Sequence, residues 1–182
     1  MKQQVRFPSK HHTVLVALFV VTLAFVAGCG GEPEPLTAES LKNAEYQGIY
    51  DGPVNLTEGK YEGEPFVEGG ASRPLVVFVE PYAFGDLDGD GVDDAAVLLV
   101  ENSGGSGSFV YLAAVLNQNG KAVNEATTLL GDRAQVEELA IDEGKIDIKM
   151  LTHGPEDPMC CPSQESSETY TLVGDELVPE GG

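Results

Sequence analysis

Beyond residue 70, short apolar runs alternate with clusters of turn residues, and almost nothing repeats at the spacing of a helix. Segments 75–80, 94–101, 108–117, 121–130, 136–141, 145–151 and 168–173 are rich in β-branched or apolar residues and have the length of ordinary strands. In 145–151, Ile146, Ile148 and Met150 alternate with Asp147 and Lys149, the two-residue period of a strand with one buried face. The turns strengthen this reading. Asn119 and Gly120 form the pair that best tolerates positive φ at both central positions of a hairpin. Glu143 and Gly144 repeat the arrangement, and the stretch from Val173 to Glu176 closes a last hairpin. The glycine-rich stretch from Ser103 to Ser108 joins two further strands; it has neither the lysine nor the following helix of a phosphate cradle. Only residues 37–46 suit a helix, with Thr37 or a neighbour as cap. The pattern predicts an all-β fold, an antiparallel meander closing as a sandwich or a small barrel, with a short N-terminal helix.

The N-terminal part obeys a different pattern. Lys2, Arg6 and Lys10 precede an uncharged run over 13–27 that ends at Ala27, Gly28 and Cys29. A membrane helix needs about 20 apolar residues, so the run is short for a span, although an ordinary N-terminal anchor remains the alternative. These residues resemble a bacterial lipoprotein signal. The resemblance implies removal of 1–28 and a Cys29 that carries a diacylglycerol on its thiol and a further acyl chain, such as palmitate, on its amine, enough chains for stable anchoring. It also implies a bacterial cell envelope location. Gly30 stands where an inner-membrane retention signal of enteric type has aspartate, which in a two-membrane cell points to the outer membrane, facing the periplasm. Residues 29–36 then form the acylated cysteine and a Gly/Pro-rich tether, and 37–182 a single β-rich domain.

Removing 1–28 takes three of ten basic residues and none of thirty acidic ones, leaving a formal charge of −23. Such a surface repels nucleic acid and attracts cations or basic partners. The expected partners are the membrane, through the anchor, and an envelope protein or ligand; the sequence sets no oligomeric state.

Four carboxylates, Asp86, Asp88, Asp90 and Asp94, stand at positions 1, 3, 5 and 9 of one short loop. Like charges this dense are costly without a compensating cation, and a hard ion with six to eight oxygen ligands fits alternate side chains that converge on one centre. Gly89 and Gly91 permit the sharp turning, and the Val92 carbonyl is a natural backbone ligand. An EF-hand is excluded because its closing glutamate position is Val97. The stretch resembles instead the calcium loop of the FG-GAP repeat of integrin-type propellers, D-x-D-G-D-G-x-x-D after Phe84-Gly85 and before an apolar strand. That resemblance implies a calcium-ligand role for Asp86, Asp88, Asp90 and Asp94, and nothing about the rest of the chain, since one copy makes no propeller. The same residues also suit a solvated Asp-Gly turn with no ion.

A second loop gathers the soft ligands of the mature chain: His153, Met159, Cys160 and Cys161. Three readings stand side by side: a vicinal disulfide, free or packed thiols, and a copper or zinc site with thiol-redox character. Adjacent cysteines do not match the spacing of zinc motifs. Catalysis finds little footing, because His153 is the one imidazole after processing and no serine sits in a nucleophile-elbow context. The sequence therefore predicts a lipid-anchored, non-enzymatic envelope protein with a structural calcium loop in a binding or structural role. The alternative is a metal-handling or thiol-redox lipoprotein built on the His153 loop.

Overall fold

The computed structural model describes Met1 and residues 33–181. The predicted signal segment beyond Met1 and the expected lipidation site Cys29 lie outside the described residues. Strand accounts for 53% of the described residues and helix for 3%, which makes the fold all-β. In chain order the elements are α1 (Ala38–Lys42), β1 (Glu45–Tyr46), β2 (Val54–Asn55), β3 (Lys60–Glu62), β4 (Leu75–Gly85), β5 (Asp94–Glu101), β6 (Phe109–Gln118), β7 (Lys121–Asp132), β8 (Gln135–Asp142), β9 (Lys145–Thr152), β10 (Gln164–Val173) and β11 (Glu176–Pro179). All pairings are antiparallel. They form a five-stranded sheet in the order β3-β4-β5-β6-β7, a four-stranded sheet in the order β11-β10-β9-β8, and a separate β1-β2 pair.

The two large sheets meet where β4 packs on β8 and β7 on β11, but no ladder joins them at either seam. The result is a sandwich with one curled sheet, not a closed barrel. Its core lies between the sheets, where Ala96, Leu98, Leu112 and Ala114 face Ile146, Ile148 and Met150. A second core forms on the other face of the five-stranded sheet. There Ala95, Val97, Leu99, Ala113 and Val115 are covered by Leu41, Tyr46, Val54 and Leu56 of the N-terminal layer. Strand β5 is thus buried on both faces, which is why its sequence is a continuous apolar run without alternation.

Local chemistry explains the elements. The Thr37 hydroxyl accepts from the Ser40 amide (3.1 Å) while the Ser40 hydroxyl accepts from the Thr37 amide (2.9 Å), so the expected cap is a reciprocal box. Tyr46 is buried and donates its hydroxyl to the Leu41 carbonyl at 2.8 Å, pinning this short helix to the layer. Asn119 and Gly120 take φ of 56° and 84°, and Glu143 and Gly144 take 49° and 77°, as two-residue hairpins require.

The structure extends two strands beyond their predicted limits. β4 continues through Pro81 to Gly85 because its register shifts between Val79 and Ala83, which absorbs a residue that cannot donate to a ladder. β10 begins at Gln164, four residues early, since its first half pairs only with β9 and leaves an open edge on which polar residues are tolerated.

At the end of β4, an ideal Cβ on Gly85 would lie 2.7 Å from Ile141 Cγ2 and 2.9 Å from Ile141 Cβ. Glycine is required there by the close approach of β8. Gly85→Ala is expected to cost about 1–3 kcal/mol through overpacking, read as a lower urea midpoint at unchanged slope.

Candidate metal centre

The loop between β4 and β5 closes an antiparallel pair, with Gly85 opposite Asp94. Inside it, Gly89 and Gly91 take φ of 82° and 85°, a conformation that an L side chain resists. The loop folds on its own carboxylates. Asp86 accepts from the amides of Gly89 (2.7 Å) and Gly91 (3.0 Å), Asp88 from the amide of Asp90 (3.0 Å), and Asp90 from the amide of Val92 (2.7 Å).

Asp94 is the floor of the site. Only 1% exposed, it accepts from the Leu87 amide at 2.9 Å with Oδ2 and from the Asn117 amide at 2.8 Å with Oδ1. Burial pushes its carboxyl above the usual carboxylate range, the two amides oppose that shift, and the negative charges of Asp88 and Asp90 add to it. The ionised form is thus held in a poorly solvated, negative setting, and a cation there would relieve both costs.

One carboxylate oxygen each from Asp86, Asp88 and Asp94 lies within 4.8 Å of the others. Among the described residues this is the one such group of three acidic, histidine or cysteine ligands, and it can hold a metal ion. The spacing spans oxygens that share one ion at roughly 2.3–2.6 Å each. Asp90 is not part of this trio; one of its oxygens accepts from the Val92 amide. Two more acidic residues, Asp142 and Glu143 of the β8–β9 turn, line a groove of about 370 Å³ with Asp86 and Gly89 and deepen the negative potential.

Asn117 is the residue that sequence reasoning missed. Counted only as the last residue of the predicted strand 108–117, it binds Asp94 through its backbone amide. Its side-chain amide also donates to the Glu34 carbonyl at 2.9 Å and to the Asp93 carbonyl at 3.4 Å, and its Oδ1 accepts from the Gly120 amide at 2.7 Å. It ties loop, hairpin and tether together. No local signal marks such a role, because the partners are far apart in sequence.

The second predicted loop has a different organiser. Asp157 accepts from the amides of Gly154 and Ser163, both at 2.8 Å, and from the Ser163 hydroxyl at 2.7 Å. The Ser163 hydroxyl, followed by the two amides, holds its carboxyl below the usual range. A depressed value means that Asp157 favours the folded loop above its ordinary pKa, and that this contribution fades as pH falls through the lower, folded value. Carboxyl titration by NMR is expected to place Asp157 below 3.8, and Asp157→Asn to remove that acid-side dependence of loop order.

Cys160 and Cys161 are joined to each other in a disulfide. Both are exposed, as is Met159 at 72%. In this form the two sulfurs have no thiolate to offer copper or zinc, and among the described residues His153 joins no group of three such ligands.

No protein-family model matches this chain. No curated protein and no solved structure matches it either.

Proposed function

We infer that this protein is a lipid-anchored, non-enzymatic component of a bacterial cell envelope, a β-sandwich whose β4–β5 loop is made rigid by one calcium ion and serves a binding or structural role. The observation that carries this reading is the convergence of Asp86, Asp88 and Asp94 on a common point with the buried Asp94 at its base. Calcium fits better than magnesium because the donors are crowded protein oxygens on a flexible glycine loop, whereas magnesium demands near-ideal octahedral geometry and keeps its waters. Asp90 and the Val92 carbonyl would complete the coordination. Calcium is abundant outside the cytoplasm, so an affinity on the order of 0.1–1 mM keeps such a loop filled.

Two measurements test the proposal separately. Calorimetry is expected to show a single calcium site in that range, weaker for magnesium and abolished by Asp88→Asn. Fractionation is expected to find the protein with membranes and Cys29→Ser in the soluble fraction, with an N-terminal peptide carrying diacylglycerol on the Cys29 thiol and an acyl chain on its amine, by mass spectrometry, in the native chain alone.

The exposed Cys160–Cys161 pair supports a second reading, a thiol-redox or copper-handling role for its loop with His153 and Met159. After mild reduction, two alkylatable thiols that compete for copper(I) would favour it; a pair that resists reduction would reject it.

A further inference from the structure

Strand β5 ends in a buried carboxylate at both poles: Asp94 at the loop already described, and Glu101, 6% exposed, at the far end. The two are provided for differently. Both oxygens of Asp94 take backbone amides. Glu101 receives the Tyr50 hydroxyl (2.9 Å) and the Ser103 hydroxyl on the same oxygen, Oε1. Its Oε2 takes no hydrogen bond among the described residues. None of the ion pairs among the described residues includes Glu101. Arg73 is engaged by Glu62, and Arg133 by Asp132. A nearly buried carboxylate with no cation and one open oxygen is costly in isolation.

Its surroundings are aromatic. Phe109 lies directly across the β5–β6 ladder from Glu101, and Tyr111, one pair along on the same face, lies opposite Leu99. Burial pushes the Tyr50 hydroxyl up to about 12, against the Ser103 hydrogen bond and with the hydrogen bond and charge of Glu101; its ring, like that of Phe109, offers an electron-rich face. Phe109 (38% exposed) and Leu129 (50% exposed, opposite Tyr111) leave apolar surface at the rim. Tyr50 also lines a neighbouring groove of about 530 Å³ with Tyr61, Pro53, Pro74 and Asp51. Aromatic faces around an anionic oxygen form the setting that desolvated ammonium and guanidinium groups prefer.

We propose that Glu101, framed by Tyr50, Phe109 and Tyr111, is a receptor for one lysine or arginine side chain of a partner protein, with Oε2 taking the charged head and Phe109 and Leu129 covering its stem. The site is independent of the calcium reading, since it lies at the other end of the strand. A chain this acidic draws basic partners from a distance; this pole supplies a place for one of their side chains to be bound.

The test is an NMR titration of the purified protein in chelator with acetyl-Gly-Lys-Gly-amide and acetyl-Gly-Arg-Gly-amide, using acetyl-Gly-Gln-Gly-amide as control. Saturable shifts confined to Tyr50, Glu101, Ser103, Phe109 and Tyr111 are expected with the charged peptides alone. Glu101→Gln, which keeps the shape and an acceptor for the hydroxyls, is expected to weaken binding about tenfold, while Glu137→Gln leaves it unchanged. Phe109→Ser, which spares the Glu101 hydrogen bonds, gives a second reading should the first variant fold poorly: weaker binding supports the site, unchanged binding rejects the aromatic wall. Shifts spread over the acidic faces or centred on 86–94, or binding indifferent to Glu101→Gln in a folded protein, would overturn the proposal.

Discussion

Calcium at about 100 times its dissociation constant is expected to raise the melting temperature by roughly 5–10 °C, with magnesium doing much less at equal concentration. Ligand that binds only the folded state at that excess stabilises by about 2.7 kcal/mol, and a domain of this size gains some 2–4 °C per kcal/mol. The strain of the metal-free loop acts on the affinity itself: three carboxylates lie close together, and burial and the charges of Asp88 and Asp90 oppose ionisation of Asp94, so a bound cation relieves these costs. Asp88→Asn separates charge from shape. It keeps the Oδ1 that accepts the Asp90 amide (3.0 Å) and removes one anionic ligand. The variant is expected to lose the calcium response and to melt, without metal, at or slightly above the native temperature, since the field of Asp88 no longer opposes Asp94. Differential scanning calorimetry in calcium and in chelator reads both effects; a native protein indifferent to chelator would refute the metal reading.

The second large effect belongs to Asp94 itself. In excess chelator, Asp94→Ala is expected to cost about 2–6 kcal/mol, because the buried amides of Leu87 and Asn117 lose their acceptors together and each orphaned donor costs about 1–3 kcal/mol. Asp94→Asn should fall between the two, its amide oxygen serving one donor while its NH₂ meets the other. Urea unfolding gives these values directly. If Asp94→Ala proved no less stable than Asp88→Asn without metal, Asp94 would not be the floor on which the loop is built.

The contrast between these two aspartates shows where reading a sequence stops. Spacing alone identified the loop, its glycines and its strand flanks, because turn chemistry and local charge density are properties of adjacent residues. The hairpins at Asn119-Gly120 and Glu143-Gly144, and the alternation in β9, were legible for the same reason. What spacing could not do was rank four similar carboxylates: the difference between Asp94 and Asp90 comes from burial beneath Leu87 and beside Asn117, a neighbour on another strand. Gly85 looked like part of a loop motif and serves as a contact surface for Ile141. The short strands β1 to β3 carried too few residues for any period to emerge. β1 and β2 cover the outer face of the larger sheet, which becomes visible only when β5 is found enclosed on both sides, while β3 extends that sheet's edge.

The bond from Asn117 to the Glu34 carbonyl limits how far the metal loop can stray from an anchor. Five residue steps separate Cys29 from Glu34, and at full stretch, whatever their path, they span no more than about 18 Å. An acylated Cys29 would therefore hold the loop on a short leash beside the lipid headgroups, where anionic surfaces gather divalent ions well above their bulk level. Occupancy there would follow the ionic atmosphere of the bilayer rather than that of the open fluid.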